Sequence, residues 1–219
     1  PQGGAVMRVF IGVDPRQPVA AAVLNYSIQR NASKPVAVTN LHLPQLPITR
    51  RGLTEFTYSR FLAPYLSNYE GVSVFMDADM LVEGDVWELE KLAKAPVNVA
   101  KHAERFEWPA IMVFRNDECK TLTPEYIENE ENKLFDFAWT ADIGSLPDKW
   151  HYVVGYDAPR HDAELWHFTK GIPEHPECRN CHGAEVWKAY KEEMLGTVSW
   201  LELLGRSVHA NSVLEELMK

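Results

Sequence analysis

Residues 72–82 of the chain have the sequence VSVFMDADMLV and place two aspartates within an apolar run. Apolar residues flank the two aspartates on both sides, with Ser73 as the exception before them, which predicts a buried strand over residues 72–82. Asp77 and Asp79 lie on either side of one alanine, so in a strand their side chains face the same side of the sheet. Two carboxylates placed together repel each other, and a divalent cation with oxygen ligands, Mn²⁺ or Mg²⁺, relieves that repulsion. The segment therefore predicts a cation site at the carboxyl end of a core strand.

The segments before this strand predict an α/β fold. Residues 7–13 and 36–43 are typical of buried strands, and apolar side chains recur between them at helical spacing. A strand, a helix and a second strand in this order indicate a parallel βαβ unit. Open sheets of this kind bind ligands at the carboxyl ends of their strands, where the two aspartates are expected. We expect one domain over residues 7–219, preceded by a flexible leader at residues 1–6.

The rest of the chain predicts short helices, further strands and a long irregular tract. Asp85 is expected to cap a helix that follows the aspartates. Thr123 precedes a proline and is expected to begin a helix that continues to about Trp139. The tract after this helix is rich in Pro, Gly and His, which is typical of a functional rim. Two closing helices are expected at residues 184–195 and 199–219.

The charge and composition of the chain exclude several classes of partner. The net charge of -9 argues against binding to nucleic acid or to an anionic membrane, because phosphate binding depends on an excess of Lys and Arg. An anionic ligand would therefore need a local cation. No run reaches the roughly 18 to 20 apolar residues that span a bilayer, and the first residues do not resemble a signal peptide. A cytoplasmic protein with reduced thiols is expected from this pattern and from the 3 cysteines.

Several segments resemble GT-A-fold glycosyltransferases, and the nearest likeness is with the group that contains glycogenin and the bacterial lipopolysaccharide galactosyltransferases. YSRFLAPYL at residues 58–66 and GVSVFMDADMLVEGDVWEL at residues 71–89 match the helix, strand and Asp-x-Asp motif of that family. Four further segments also match, and all six occur along the chain in the family order: FIGVDP (10–15), PAIMVFRND (109–117), SLPDKWHYVVG (145–155) and LWHFTKG (165–171).

This resemblance implies a fold and an activity. The fold would be a single GT-A domain with a twisted, mostly parallel central sheet flanked by helices. The activity would be transfer of a hexose from a sugar nucleotide, a UDP-sugar, to a hydroxyl acceptor with retention of configuration. Asp77 and Asp79 would bind Mn²⁺ or Mg²⁺ that holds the diphosphate, and His167 in HFTKG would be the third ligand. An imidazole ligand favours Mn²⁺ over Mg²⁺, although a single histidine is more often a structural residue.

The resemblance also assigns residues to the donor. Arg60 matches the family arginine that reaches the donor and would be catalytic, and a guanidinium suits a phosphate or a sugar hydroxyl. Gly12, Val13 and Asp14 match the positions where the nucleotide base and ribose lie, and Ala78 belongs to the same donor site. The alternatives are a solvated helix charge for Arg60 and an ordinary exit from a strand for Gly12, Val13 and Asp14.

The sequence departs from the family pattern at two places. The family motif continues after the metal-binding histidine with Gly and then Lys-Pro-Trp, whereas here Lys170 precedes Gly171. We expect these two residues to contact the diphosphate from a different place. The Asp-Gln-Asp segment of the family is absent, and WTADIGSLPDKW at residues 139–150 occupies the matching stretch. Asp142 is the candidate catalytic residue there.

Two other functions remain open from the residues alone. Haloacid-dehalogenase-like phosphatases also carry a nucleophile in an apolar-Asp-x-Asp segment. In those enzymes Thr or Val follows the second aspartate and the motif lies on the first core strand, whereas here Met80 follows and two predicted strands come first. The other alternative is a non-catalytic module that binds sugar nucleotides.

A cluster of cysteines and histidines allows a second metal site. CRNCH at residues 178–182 matches the haem c attachment pattern, but that pattern needs an exported chain and a haem-ligand context, and we expect neither here. His175, Cys178, Cys181 and His182 are candidate ligands of a small zinc site, although adjacent residues seldom both reach one ion. Free thiols in a surface loop are the alternative.

Overall fold

Two β-sheets organise the part of the chain that this computed structural model describes, namely residues 7–15, 18–100, 109–197 and 215. The expected leader and, apart from residue 215, the second closing helix lie outside these residues. The strands are β1 (Met7–Gly12), β2 (Val36–Leu41), β3 (Val72–Asp77), β4 (Met80–Val82), β5 (Val97–Ala100), β6 (Ile111–Arg115), β7 (Ile143–Leu146), β8 (Tyr152–Val153) and β9 (Leu165–His167). The α-helices are α1 (Pro18–Asn31), α2 (Ala63–Leu66), α3 (Trp87–Leu92), α4 (Pro124–Glu128) and α5 (Ala184–Thr197).

The large sheet has six strands in the order β2-β1-β3-β6-β5-β7. β1 is parallel to both β2 and β3, and β5 is parallel to β7. Only β6 runs against its neighbours β3 and β5. The predicted βαβ unit and the mostly parallel sheet are therefore confirmed. The register pairs Gly12 with Asp77, so β1 and β3 end side by side at the carboxyl edge.

The strand predicted over residues 72–82 is divided by a turn at Ala78 and Asp79. β3 ends at Asp77, and β4 leaves the large sheet to join a second sheet with the order β4-β9-β8. Met80 is there the antiparallel partner of His167. The prediction that both aspartates belong to one continuous strand is wrong, because their common orientation comes from a turn between two sheets.

Side chains of α1 hold β4 on the edge that faces away from β9. The Ser27 hydroxyl accepts a hydrogen bond from the Val82 backbone N–H at 3.1 Å. Asn31 donates from Nδ2 to the Val82 carbonyl at 2.9 Å. Both backbone groups of Val82 are therefore satisfied by side chains, which fixes the exit of the chain from the turn.

The predicted helix after Thr123 begins where expected but ends at Glu128. The Thr123 hydroxyl caps it by accepting from the Tyr126 N–H at 3.2 Å. At the other end, Nη1 of Arg50 donates to the carbonyls of Ile127 and Asn129 at 2.9 Å each. Because this guanidinium satisfies the terminal carbonyls, the chain turns away instead of continuing to Trp139.

The cap predicted at Asp85 is displaced by one residue, because Val86 is the N-cap of α3 and makes no side-chain capping hydrogen bond. The Asp85 carboxylate nevertheless binds the start of this helix. Its Oδ1 accepts hydrogen bonds from the N–H groups of Trp87 and Ser33, both at 3.1 Å.

None of the helices in the described residues has the length and apolar character that crossing a membrane requires.

Two apolar cores flank the large sheet. One contains α1, the small sheet and the buried Trp150 and Trp187. The other contains α4, the buried Phe61 and Phe75, and Trp139. The carboxyl edge of β1 and β3 lies between these cores, and this edge carries the two aspartates.

Gly12 is in contact with aromatic rings rather than with open space. A Cβ atom at this position would lie 2.7 Å from the Cβ of Phe56 and from the Cζ of Phe75. This packing is one physical reason for a glycine here, and the contact of Gly12 with a nucleotide stays a prediction. The absence of a side chain at Gly12 lets Phe56 pack on the end of β1.

We expect Gly12→Ala to lower the free energy of unfolding by about 1–3 kcal/mol, because the added methyl group overpacks this aromatic contact. Gly196→Ala is a matched control, since Gly196 lies on α5 and, apart from its own helix backbone, no atom of the described residues lies within 4 Å of the position of an added methyl group. The control should gain up to about 1 kcal/mol of helix propensity. Urea unfolding curves measure both effects, and equal stability of the two variants would contradict the packing role of Gly12.

Candidate metal site at the carboxyl edge of the sheet

Asp77, Asp79 and His167 converge at the carboxyl edge of the large sheet. Each offers one ligand atom, and these atoms all lie within 4.8 Å of one another. Asp77 ends β3, Asp79 lies in the turn, and His167 ends β9 beside Met80. Within the described residues, this is the one group of three or more His, Cys, Asp or Glu side chains close enough to share a metal ion.

Each aspartate faces one positively charged or titratable partner. Nη2 of Arg60 lies 3.2 Å from Oδ1 of Asp77. Nε2 of His167 lies 3.3 Å from Oδ1 of Asp79. The Phe168 N–H also donates to the backbone carbonyl of Asp79 at 2.9 Å, which holds the turn against the end of β9. The cluster is therefore assembled by both sheets.

The donor set of this cluster fits a divalent cation. Oδ1 of Asp77 and Oδ1 of Asp79 are buried and, beyond these ion-pair contacts, accept no well-formed hydrogen bond from any described residue. A buried carboxylate oxygen without a hydrogen-bond donor is costly, and an ion removes that cost. Two carboxylates and one imidazole are ligands that Mn²⁺ accepts readily.

The surroundings separate the pKa values of the two acids. Burial, opposed by Arg60 and reinforced by the charge of Asp79, raises the pKa of Asp77 to about 6. Burial would also raise the pKa of Asp79, but the charge and hydrogen bond of the adjacent His167, together with a backbone hydrogen bond and the charge of Arg60, lower that pKa. Burial lowers the pKa of His167, but Asp79 outweighs it and raises that pKa. Asp77 is therefore the less readily ionised of the two acids.

A cavity of about 420 Å³ opens beside the cluster. Its polar wall contains the three clustered side chains and Arg60, and the rest of its lining is mainly apolar or carries hydroxyl groups: Leu53, Thr54, Phe56, Thr57, Pro109, Ala110, Phe135 and Thr169. A second cavity of about 300 Å³ shares Leu53 and Thr54 with the first and is also lined by Asp14 and Arg51. Because Leu53 and Thr54 line both cavities, the two cavities adjoin, and together they are called the groove.

Arg60 lies in the wall of the larger cavity and is engaged by the protein itself. Its Nε donates to the Thr57 carbonyl at 3.0 Å, and its Nη1 donates to the Pro109 carbonyl at 2.6 Å. Its Nη2 faces Asp77, and the ring of Phe75 has its centroid 5.1 Å from the guanidinium carbon. A solvated helix charge is excluded, because the residue is 7% exposed.

The other residues expected at the nucleotide lie near this groove. Val13 is buried, and its N–H donates to the Leu41 carbonyl at 3.4 Å. Asp14 is largely buried and lines the second cavity. Ala78 is buried in the turn between the aspartates. Contact of these residues with a nucleotide stays a prediction.

Three predicted residues are not brought into the cavity. Nζ of Lys170 donates to the Gly155 carbonyl at 3.1 Å and lies 4.3 Å from the ring centroid of Tyr156. Gly171 has a φ of 127° and faces the loop that follows it. Asp142 is exposed and precedes β7, which places it at the amino edge of the sheet, opposite to Asp77.

Three features of the site were not anticipated from the sequence. Phe135, which is 37% exposed, and Leu53, which is 96% exposed, line the cavity. Arg51, the second arginine of the Arg-Arg-Gly segment, lies in the second cavity. His151 is buried and contacts His167. An adjacent pair of arginines before a glycine was a usable signal, whereas the other contacts depend on tertiary structure.

The structure does not support the proposed zinc site. Nδ1 of His182 forms a hydrogen bond with the Tyr152 hydroxyl at 2.8 Å. Sγ of Cys178 donates to the Lys170 carbonyl at 3.4 Å. The three cysteines are free, and the four candidate side chains, all among the described residues, do not form a group that could share an ion. Free thiols are the better interpretation.

The sequence is similar over most of its length to a curated protein. Protein CDI of Arabidopsis thaliana is 29% identical over 225 residues, which cover 85% of this chain and 86% of that protein. No family model matches the sequence.

Solved structures of glycosyltransferases share the architecture of this chain. The bifunctional glycosyltransferase WbbM matches with a TM-score of 0.64 and 14% identity over 90% of this chain. The chain has the GT-A glycosyltransferase fold. The glycosyltransferase GlyE of Streptococcus pneumoniae TIGR4 matches with a TM-score of 0.65 and 15% identity over 88% of this chain. The galactosyltransferase LgtC in complex with donor and acceptor sugar analogues matches with a TM-score of 0.55 and 11% identity over 85% of this chain.

These structures differ in length from the present chain. The matched part is 52% of the WbbM chain and 63% of the GlyE chain, so the GT-A chain described here spans half to two thirds of those proteins. It spans 96% of the LgtC chain. The resemblance to GT-A-fold glycosyltransferases that the sequence indicated is confirmed in the fold.

The charge of Asp77 should make the stability of the metal-free protein depend on pH. Its pKa of about 6 in the folded protein exceeds its ordinary value of 3.8. As pH rises between these values, the unfolded chain releases the proton first, so stability falls and the full cost is present above about pH 6. A pKa difference of this size corresponds to about 3 kcal/mol.

We therefore expect Asp77→Asn to be more stable than the wild type at pH 7.5 in EDTA and to lose this advantage at pH 4. The amide keeps an oxygen that can face Arg60. Asp142→Asn is the matched control, because Asp142 is exposed at the opposite edge. Urea unfolding at both pH values measures the difference. An advantage of Asp77→Asn that is the same at both pH values would show that the charge of Asp77 is not the cause.

Proposed function

We propose that the chain is a metal-dependent glycosyltransferase that moves a hexose from a UDP-sugar to a hydroxyl acceptor with retention of configuration. The observation that carries this proposal is the convergence of Asp77, Asp79 and His167 beside a cavity of about 420 Å³. The fold shared with solved glycosyltransferases supports it. In an open sheet of this kind, the carboxyl edge is where ligands bind.

Asp77, Asp79 and His167 hold the cation in this proposal. When bound, Mn²⁺ or Mg²⁺ supplies positive charge that stabilises the departing diphosphate. The imidazole ligand favours Mn²⁺. Arg60 acts from behind the cluster, since its hydrogen bonds to two carbonyls and its ion pair with Asp77 fix the orientation of that carboxylate.

The groove divides the donor between its two cavities. The diphosphate lies beside the three clustered side chains, and the hexose lies in the larger cavity, where Phe56 and Phe135 offer apolar surface to the faces of a sugar ring. The nucleoside lies in the second cavity near Asp14. This assignment follows the order of nucleoside, diphosphate and hexose in a UDP-sugar.

Arg51 supplies the additional positive charge that the diphosphate needs. The family lysine is displaced in this sequence, and Lys170 is occupied by Gly155 and Tyr156. Arg60 is engaged by internal partners. Arg51 lines the second cavity, and its side chain forms no hydrogen bond or ion pair within the described part of the chain. A guanidinium in this position can bind phosphate oxygens in a bidentate manner.

A donor screen with Mn²⁺ tests the proposal directly. UDP- and GDP-linked hexoses are incubated with the protein, and release of free nucleotide is measured with and without EDTA. We expect metal-dependent release of UDP, reduced at least about a hundredfold in Asp79→Asn, because loss of one charged ligand removes several kcal/mol of charge stabilisation. Asp142→Asn serves as the control.

Three results of this screen would contradict the proposal. Release of phosphate from phosphate esters, without release of nucleotide, would indicate a phosphatase. Binding of UDP without turnover of any donor would indicate a binding module. Turnover that is unchanged by EDTA and by Asp79→Asn would remove the metal from the mechanism.

The role of Arg51 gives a separate kinetic prediction. Arg51→Ala should raise the KM for the UDP-sugar about tenfold, since a hydrogen bond to a charged group is worth about 1.5–3 kcal/mol. Arg51→Lys should recover part of this loss, and Lys170→Ala should change KM by less than about twofold. Steady-state kinetics at saturating Mn²⁺ provide the measurement. The assignment is wrong if Lys170→Ala, and not Arg51→Ala, weakens donor binding.

A further inference from the structure

A second buried histidine, His151, lies directly behind His167. Nε2 of His151 is 3.0 Å from Nδ1 of His167. The centroids of the two rings are 5.2 Å apart, and their planes are inclined by 31°. Both residues are almost fully buried, with 4% and 3% of their surfaces exposed. The two imidazoles therefore form a hydrogen bond that is shielded from water.

The backbone around His151 leaves this ring little freedom. The residue directly follows a short 3-10 helix, Asp148–Trp150, and its N–H donates to the Asp148 carbonyl at 3.0 Å. β8 begins at the next residue and is parallel to β9, with Val153 opposite His167. The N–H of Val154 donates to the His167 carbonyl at 3.0 Å. The backbones that carry the two rings are thus joined.

The hydrogen bond constrains where the protons lie. Nε2 of His167 is the nitrogen that faces Asp79 and the cation site. To bind a cation, this nitrogen must present a lone pair, and the proton of the neutral ring must then lie on Nδ1. The Nδ1–H of His167 donates to Nε2 of His151, which has to be an acceptor. His151 must therefore carry its own proton on Nδ1.

We propose that His151 is a positioning residue that holds His167 in the tautomer and orientation required for metal binding. The inference rests on the metal site of the proposed function. His151 does not bind the cation itself, because its Nε2 is used by His167 and it does not belong to the cluster that converges on the site. Partners of this kind behind a ligating imidazole typically change metal affinity by about 10–100-fold when they are removed.

Calorimetric titration of the metal-free protein with MnCl₂ tests the inference. His151→Phe keeps a ring of similar size but removes the acceptor, and we expect it to weaken Mn²⁺ binding by about 10–100-fold. His151→Gln offers an amide oxygen as acceptor and should stay within a few-fold of the wild type. His182→Phe is the matched control, because His182 also forms a hydrogen bond to a neighbouring ring but does not contact His167.

A readout that a purely structural role would not affect accompanies the titration. Nitrogen NMR of the Mg²⁺-loaded wild type should show His167 protonated on Nδ1 and His151 unprotonated on Nε2. Urea unfolding in EDTA establishes that each variant is folded before its affinity is compared. Rescue by His151→Gln at unchanged stability supports the positioning role.

The outcomes separate this inference from the proposed function. If the wild type and His151→Phe bind Mn²⁺ equally well, the inference is overturned while the metal site stands. The same holds if His151→Gln loses as much affinity as His151→Phe. If the wild type binds Mn²⁺ and the variants follow the expected order, but no donor is turned over, the proposed function fails and the inference remains.

Discussion

Two carboxylates held together in a largely buried corner are the constraint on which the rest of the site depends. Repulsion between Asp77 and Asp79 is strong there, because little water screens it. The chain supplies Arg60 as a permanent cation and His167 as a titratable partner, yet one oxygen of each acid accepts no well-formed hydrogen bond from the described residues. The raised pKa of Asp77 shows that the compensation is partial. A divalent cation would neutralise the remaining negative charge of the two carboxylates, so the repulsion between them favours metal binding.

The architecture holds this corner from several directions. The turn at Ala78 transfers the chain from the large sheet to the small one and makes β4 the partner of β9, which brings His167 to the aspartates. Ser27 and Asn31 fix the far side of β4 from helix α1. His151 forms a hydrogen bond with the nitrogen of His167 that faces away from Asp79. The ligands of the proposed site are therefore placed by contacts between elements that are distant in sequence.

The sequence predicted those features that depend on local patterns. Apolar strands around one helix were sufficient to predict the parallel βαβ unit, and Thr123 was a correct helix cap. Asp85 lies one residue before the N-cap of α3. The prediction of a helix continuing to Trp139 was wrong, because Arg50, which is distant in sequence, donates hydrogen bonds to carbonyls at the end of α4. The prediction of a continuous strand through Asp79 was wrong, because two apolar segments joined by a tight turn have the same sequence pattern as one apolar strand.

The residues of the site could be predicted from the sequence only where they belong to a recognisable motif. Asp77, Asp79 and His167 lie in segments that resemble the family, and they do converge. Gly12 packs against Phe56, a tertiary contact that the motif does not record. No short sequence pattern contains the tertiary contacts that place the remaining residues. These contacts bind Arg60 to the Pro109 carbonyl, bind Lys170 to the Gly155 carbonyl, and put Asp142 at the opposite edge of the sheet.

The most direct measurement is anomalous X-ray diffraction from crystals grown with MnCl₂ and UDP. A metal shared by the two carboxylates and the imidazole predicts a single strong manganese peak between Asp77, Asp79 and His167, with the diphosphate oxygens completing its coordination. A peak bound elsewhere, or a diphosphate held at this edge of the sheet without any manganese, would contradict the central role given to the paired aspartates.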